Sequence, residues 1–228
     1  MKLMILLLVS IFGFAQANVE YHVVPTERVY TPKGFDSNDN AEVIVSGFLP
    51  NLCYQNPRHK ITRSGKNIFI TINASRIKDE YCPEVVVPFL EVVDIGMLDP
   101  KKYKIYVNNQ TQTPLEESIE IVQRTNGRID EAIYPIVFNV KYERSNNSIL
   151  IEAYKPSDCY EFDKVEFFSD KKNLITVLPK MRKIRDFCPM KLTPITIREK
   201  LPNLVNSLKT LIHVRSLNQE SKNIEIVQ

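Results

Sequence analysis

From residue 41 onward the apolar residues recur in short bursts rather than in long runs or helical stripes. In Asn67-Ile68-Phe69-Ile70-Thr71-Ile72-Asn73 an isoleucine stands at every second position, which turns all three to one face of a strand. Phe69 on the other face indicates that this side is partly covered as well. Segments 41–48 and 102–108 have the same β-branched and aromatic character between Pro, Asn, Asp or Gly. Segments 136–142, 148–154, 165–168, 174–178 and 207–215 answer them in the second half. Residues 201–211 tempt a helical reading, but the matching part of the first half is a strand, so a loop followed by a strand is expected. Short strands with turns about every eight to twelve residues predict β-sandwiches.

The halves resemble each other. Cys53 and Cys82 stand 29 positions apart, as do Cys159 and Cys188, at an offset of 106. At that offset Pro50-Asn51-Leu52-Cys53-Tyr54 falls on Pro156-Ser157-Asp158-Cys159-Tyr160, and Tyr81-Cys82-Pro83 on Phe187-Cys188-Pro189. Lys66-Asn67 meets Lys172-Asn173, Arg76 meets Arg182, and Pro88 meets Pro194. Nine of 42 aligned positions are identical between 48 and 89, where composition alone gives roughly two or three. The pentapeptide 119–123 recurs at 224–228. Two homologous units of about 100 residues are the economical explanation, with domains at 18–123 and 124–228. Asn126-Gly127 supplies a turn at the joint.

Residues 1–17 read as a secretory signal: Met1-Lys2 is a basic start, 3–14 an apolar run, and Ala15-Gln16-Ala17 a small-x-small cleavage site. The run is too short to span a bilayer, and no later segment is long and apolar enough. A secreted or periplasmic chain beginning at Asn18 is expected. Export makes an even number of cysteines a disulfide framework. Four allow three connectivities, and a unit duplicated with both of its cysteines favours its own bridge. Cys53–Cys82 and Cys159–Cys188 are therefore expected. A Cys-only metal site needs closely spaced pairs and supporting histidines, whereas His22, His59 and His213 are scattered. A redox-active pair is typically C-x-x-C.

Composition excludes more than it assigns. The net charge is +3, with 30 basic and 27 acidic side chains and no long run of either sign, so no nucleic-acid footprint is present. The chain lacks a G-x-S-x-G elbow, an H-E-x-x-H helix, a P-loop and a dinucleotide fingerprint. The histidines read as residues of strand or turn surfaces rather than as bases. Asp36-Ser37-Asn38-Asp39-Asn40 resembles the front of a calcium loop but has Ala41 where Gly is needed and Gly47 where the bidentate Glu belongs. It reads as a polar loop with Asx turns. Glu116-Glu117 and Asp79-Glu80 read as surface charge, and the basic stretch 180–185 as an exposed loop. N-x-S/T triplets at Asn73, Asn109 and Asn146 are possible glycan acceptors in a eukaryotic pathway.

Gly47-Phe48-Leu49-Pro50-x-x-Cys53-Tyr54, Tyr81-Cys82-Pro83, Val87-Pro88-Phe89, Ile95-Gly96-x-Leu98 and Tyr103-x-Ile105-x-Val107-Asn108 resemble exported bacterial immunoglobulin-like β-sandwich domains of largely uncharacterised role. The second unit keeps Pro156, Cys159, Tyr160, Cys188, Pro189 and Pro194 but lacks the last two strings. The resemblance implies an all-β chain of two tandem immunoglobulin-like sandwiches and carries over no catalytic residue. The expected function is non-enzymatic binding or structural work on another protein or an envelope component, with no cofactor and no metal. Two rivals are an inhibitor of an extracytoplasmic hydrolase and an enzyme with a site between the units. An enzyme needs ionisable side chains converging in a concave pocket.

Overall fold

The computed structural model describes residues 19–78, 81–125, 127, 132–169, 173–202 and 209–227. The expected signal and start at Asn18, the Asp79-Glu80 pair, Asn126 of the joint, Lys172 of the overlay and Gln228 of the pentapeptide lie outside these residues. The first half forms β1 (Val19–Val23), β2 (Thr26–Tyr30), β3 (Ala41–Leu49), β4 (Tyr54–Ser64), β5 (Asn67–Ile77), β6 (Val87–Gly96), β7 (Lys102–Val107) and β8 (Leu115–Glu120). The second forms β9 (Ile136–Glu143), β10 (Ser148–Lys155), β11 (Tyr160–Ser169), β12 (Leu174–Lys183), β13 (Thr193–Lys200), β14 (Lys209–Arg215) and β15 (Ser221–Val227). The protein is all-β, and each half is a sandwich.

In the first, β2-β3-β6 packs over a sheet in which β4, β5, β7 and β8 are neighbours and β1 joins β5 beside β7. In the second, β9-β10-β13 packs over β11-β12-β14-β15. The first sandwich thus sets three strands over five and the second three over four. Each larger sheet also has one parallel pair: β5 with β7, Ile68 opposite Ile105, and β12 with β14, Ile175 opposite Ile212. The bridge Ile133–Met181 occupies the place that β1 has on β5.

Alternation builds both cores. Val43, Val45, Ile68, Ile70, Ile72, Val93 and Ile105 fill the first, and Ile149, Ile151, Ile175, Val177, Ile212 and Val214 the second. The segments read as strands from periodicity lie in β3, β5, β7, β9, β10, β11, β12 and β14, the last from Lys209 because 203–208 fall outside the described residues. Strand β4 has no such signature. Its Gln55, Asn56, Arg58, Lys60 and Arg63 face solvent because among the described strands it pairs only with β5, and an edge tolerates charge. The stretch 180–185 is not an exposed loop. Most of it extends β12, with Met181 buried, Lys180 on Glu166 at 2.6 Å and Arg182 bonded to Glu161.

Gly47 sits where β3 passes under the chain entering β2. A Cβ there would lie 2.3 Å from the Pro25 carbonyl oxygen and 2.7 Å from the Phe89 ring. Gly47→Ala is expected to destabilise the fold by about 1 to 3 kcal/mol, the usual overpacking cost, read as a lower urea midpoint at unchanged slope.

Strands β3, β12 and β14 are buried on both faces. Their inner faces fill their own cores, and their outer faces meet each other. Ile44 and Tyr30 of the first sandwich pack on Leu174 and Leu211 of the second. Along this seam Glu27 meets Lys209 at 2.6 Å, Ile44 meets Leu211, Glu42 meets His213 at 3.3 Å, and Asp39 meets Arg215 at 3.3 Å. As β14 advances β3 recedes, so the two strands run antiparallel across the seam. Cys53 follows the C-terminal end of β3, whereas the second bridge follows the C-terminal end of β12, which is parallel to β14. The two disulfides therefore lie at opposite ends of the molecule.

Candidate functional site

Two places concentrate side chains with more to do than fill a core: the disulfide ends and the seam. Both bridges form as the repeat predicts. Cys53–Cys82 has a Cα–Cα distance of 5.5 Å and Cys159–Cys188 one of 5.4 Å. At each, a polar side chain two residues upstream holds the first cysteine. The Cys53 N–H donates to Asn51 Oδ1 at 3.1 Å, and the Cys159 N–H to Ser157 Oγ at 3.2 Å. The next N–H closes the same turn, Tyr54 onto the Asn51 carbonyl and Tyr160 onto that of Ser157, both at 3.3 Å. The sulfurs anchor a buried first cysteine to a chain that runs outward from the second.

That outward chain is apolar in both units. Tyr81 is 90% exposed, and its overlay partner Phe187 is 96% exposed. Val85 and Val86 follow in the first loop; Met190, 94% exposed, and Leu192 follow in the second. An aromatic ring left in water beside a covalent anchor is costly to the free protein and informative for that reason.

At the seam, burial rather than exposure is unusual. Arg215 is only 2% exposed; its guanidinium lies 4.6 Å from the Phe35 ring centroid and 5.5 Å from that of Tyr134. These faces and the Asp39 carboxylate compensate its desolvation. The loop read as polar and Asx-rich does form Asx-type turns, with the Asn38 N–H on Asp36 Oδ1 at 2.7 Å and the Asp36 N–H on Asp39 Oδ2 at 2.9 Å. It is not solvated, because the second sandwich covers Asp36 and Asp39. Among the described residues no cluster of three or more His, Cys, Asp or Glu side chains could hold a metal ion.

His213, expected on a surface, is wholly buried. Its Nδ1 is 2.9 Å from Asn223 Oδ1, and Asn223 Nδ2 donates to Ser221 Oγ, so the ring carries its proton on Nδ1 and gives it to the amide oxygen. Burial, and after it the Arg215 charge, push its pKa down to about 3 despite the Asn223 bond. Burial raises the carboxyl of Glu42, against Ser221 and Arg215, which favour its charged form. Both partners are thus driven toward uncharged forms, and their 3.3 Å contact is not a conventional ion pair. Further along the seam the Tyr30 hydroxyl donates to Glu225 Oε1 at 2.8 Å, and burial and that carboxylate raise its pKa. Lys33 N–H to Thr176 Oγ1 at 3.1 Å and Asn40 N–H to Gln219 Oε1 at 2.6 Å also cross the seam.

The titration at His213 has a definite sign. The folded ring stays neutral to about pH 3 while the unfolded one takes up a proton near 6.5. Stability from this group is therefore complete above 6.5 and lost as pH falls toward 3. Glu42 acts oppositely, since its raised pKa gives stability that is complete below 4.5 and lost as pH rises through the folded value. The difference between wild type and His213→Gln isolates the histidine. It is expected to turn against the wild type by up to about 1.4 kcal/mol per pH unit below 6.5, read from urea midpoints at successive pH.

A cleft of about 230 Å³ between the sandwiches is lined by Asp36, Asp39, Tyr134, Glu166 and Lys180 among others. Asp36 and Asp39 are committed to their own loop and to Arg215, and Glu166 is held below its usual range by Lys164 and Lys180. His59 sits elsewhere, half-buried, with Nδ1 2.7 Å from Glu91 Oε1. Glu116 pairs with Lys104 at 3.0 Å on the β7–β8 surface. Asn109 and Asn146 are exposed, while Asn73 lies within β5.

Comparison with known families fits the first sandwich. Residues 43–116 match the model of the ORF11 beta-sandwich domain. The match covers about a third of the chain, from β3 into β8, and includes the first disulfide. No curated protein and no solved structure matches the chain. Two disulfides fit an oxidising, extracytoplasmic setting. No helix among the described residues is long and apolar enough to cross a membrane.

Proposed function

We propose that the protein is an exported, non-enzymatic binding protein, built by duplication of one disulfide-bridged sandwich, that acts by protein–protein contact through the loops beside its two bridges. The observation that carries this reading is the pair of almost fully exposed aromatic side chains, Tyr81 and Phe187, at equivalent places in the two units. Large aromatic side chains on a preorganised loop bury much area on binding at little conformational cost. The His213–Glu42 pair supports the non-enzymatic part, because a wholly buried ring gives no substrate access to a base. The signal-like residues 1–17 and the two bridges support export to a secreted or periplasmic location. The test is a photo-crosslinking residue placed at 81, at 187, or at the open turn position Gly65 in the cell that makes the protein. Protein adducts at 81 or 187 and none at 65 are expected. Equal labelling at all three positions, or none at any, contradicts the reading.

A further inference from the structure

Strand β1 lies on an open edge of the first sandwich, since among the described strands it pairs with β5 alone. Sheet edges are ordinarily guarded against pairing with other chains by charge, proline or a bulge. Strand β4, on the other side of β5, has Arg58, Lys60 and Arg63 and a break in register between Gln55 and Arg58. Strand β13 has Pro194, Arg198 and Lys200, and β11 a break between Phe162 and Lys164. Strand β1, Val19-Glu20-Tyr21-His22-Val23, has no Lys, Arg or Pro, and its register is unbroken. Val19, Tyr21 and Val23 share one face and are all exposed, beside exposed Ile77, the β5 partner of Val19. The backbone is equally open. The Val24 N–H donates to the Ile72 carbonyl at 3.1 Å, so in the antiparallel register Glu20 and His22 also turn their N–H and C=O groups to β5. Those of Val19, Tyr21 and Val23 therefore point to the open edge.

We infer that the occupant of this edge is the β1 of a second copy, paired antiparallel about a two-fold axis at Tyr21. The sequence of the strand selects both partner and register. Antiparallel pairing sets edge-facing residues opposite one another, so a symmetric register that overlaps at least three residues is centred on Glu20, Tyr21 or His22. The first sets Glu20 on Glu20 and the third His22 on His22. Only the Tyr21 centre uses all five residues, with Val19 opposite Val23 and Glu20 opposite His22, each pair occurring twice. Glu20 also lies 3.4 Å from its own His22 and 3.7 Å from Lys78, and Arg76 is its β5 partner, so the carboxylate enters the contact among basic groups. Such a contact is isologous and closes at two copies. It uses β1 rather than the disulfide loops, so its failure leaves the reading of those loops untouched.

Sedimentation velocity on the oxidised mature chain from about 5 to about 500 µM tests this, the range in which so small an interface operates. Dimers are expected to grow with concentration, with no larger species. Tyr21→Pro removes an N–H that points at the partner and none that β5 uses, so it should weaken dimerisation at least about tenfold at unchanged Tm. Val19→Lys with Val23→Lys sets like charges opposite each other from exposed positions and should do the same. If Tyr21→Pro lowers the Tm, the lysine variant decides. Glu20→His alone should weaken the dimer, and Glu20→His with His22→Glu, which reverses the pair and keeps the register, should restore it. A wild type that stays monomeric throughout overturns the inference, as does growth beyond two copies. So does a dimer that survives the lysine variant, or a double swap that dimerises no better than Glu20→His.

Discussion

Arg215→Ala is expected to cost about 3 to 5 kcal/mol, the range for breaking a buried charge pair by removing one partner. The guanidinium is 2% exposed, stacked near Phe35 and Tyr134 and 3.3 Å from Asp39. Its loss leaves the Asp39 carboxylate buried beneath the second sandwich and a void between two rings. Because these groups lie between the sandwiches rather than inside either core, the damage should fall on their coupling. Calorimetry should show one wild-type transition and two separate transitions in the variant. Arg215→Met alone should be nearly as damaging, whereas Arg215→Met with Asp39→Asn should recover much of the loss, because replacing a whole buried pair is often near neutral. A variant that unfolds in one transition within 1 kcal/mol of wild type would show that the pair contributes little.

Replacing Cys159 and Cys188 together by alanine should lower stability by about 3 to 4 kcal/mol on the chain-entropy account, since the bridge closes a loop with a sequence separation of 29. Against a total of about 5 to 15 kcal/mol for a typical domain this is a large share. The loss originates in the second sandwich, which contains the whole closed loop, and reaches the first only through the seam that couples the two. Urea unfolding followed separately in each half by hydrogen exchange measures it. The same variant releases the chain around Phe187, so crosslinking from position 187 should weaken even at temperatures where the sandwich remains folded.

Most of the fold can be read from the sequence because one face of each strand must meet a core, and period two then writes itself into segments such as 67–73. The bridges are equally legible, since a spacing repeated at one offset leaves little choice of partners. The seam was not. Glu42 and Ser46 on β3 alternate with Val43 and Val45 as solvent-facing residues would, and His213 and Arg215 on β14 alternate with Ile212 and Val214 in the same way. Their burial comes from a second sheet laid over that face, and nothing local distinguishes a polar residue covered by protein from one covered by water. A hint was available: Leu211 and Ile44 stand on those same outer faces, apolar where an open sheet would be polar throughout. The exposed loops escaped for the converse reason. Nothing in the residues around Tyr81 and Phe187 marks them as exposed, and only the outward course of the chain leaves both in solvent.

The placement of the disulfide ends at opposite poles depends on the direction in which β14 lies across β3, and a zero-length carbodiimide crosslink reads that direction. Lys209 Nζ is 2.6 Å from Glu27 of the first sandwich and 3.9 Å from Glu225 of its own. In the monomer fraction a peptide pair joined through Lys209 and Glu27 is the predicted product. Lys209 joined to Glu225 alone, or joined instead to Asp39, Glu42 or Asp94 at the Ala41 end of β3, would contradict the antiparallel seam and the two-ended molecule built on it.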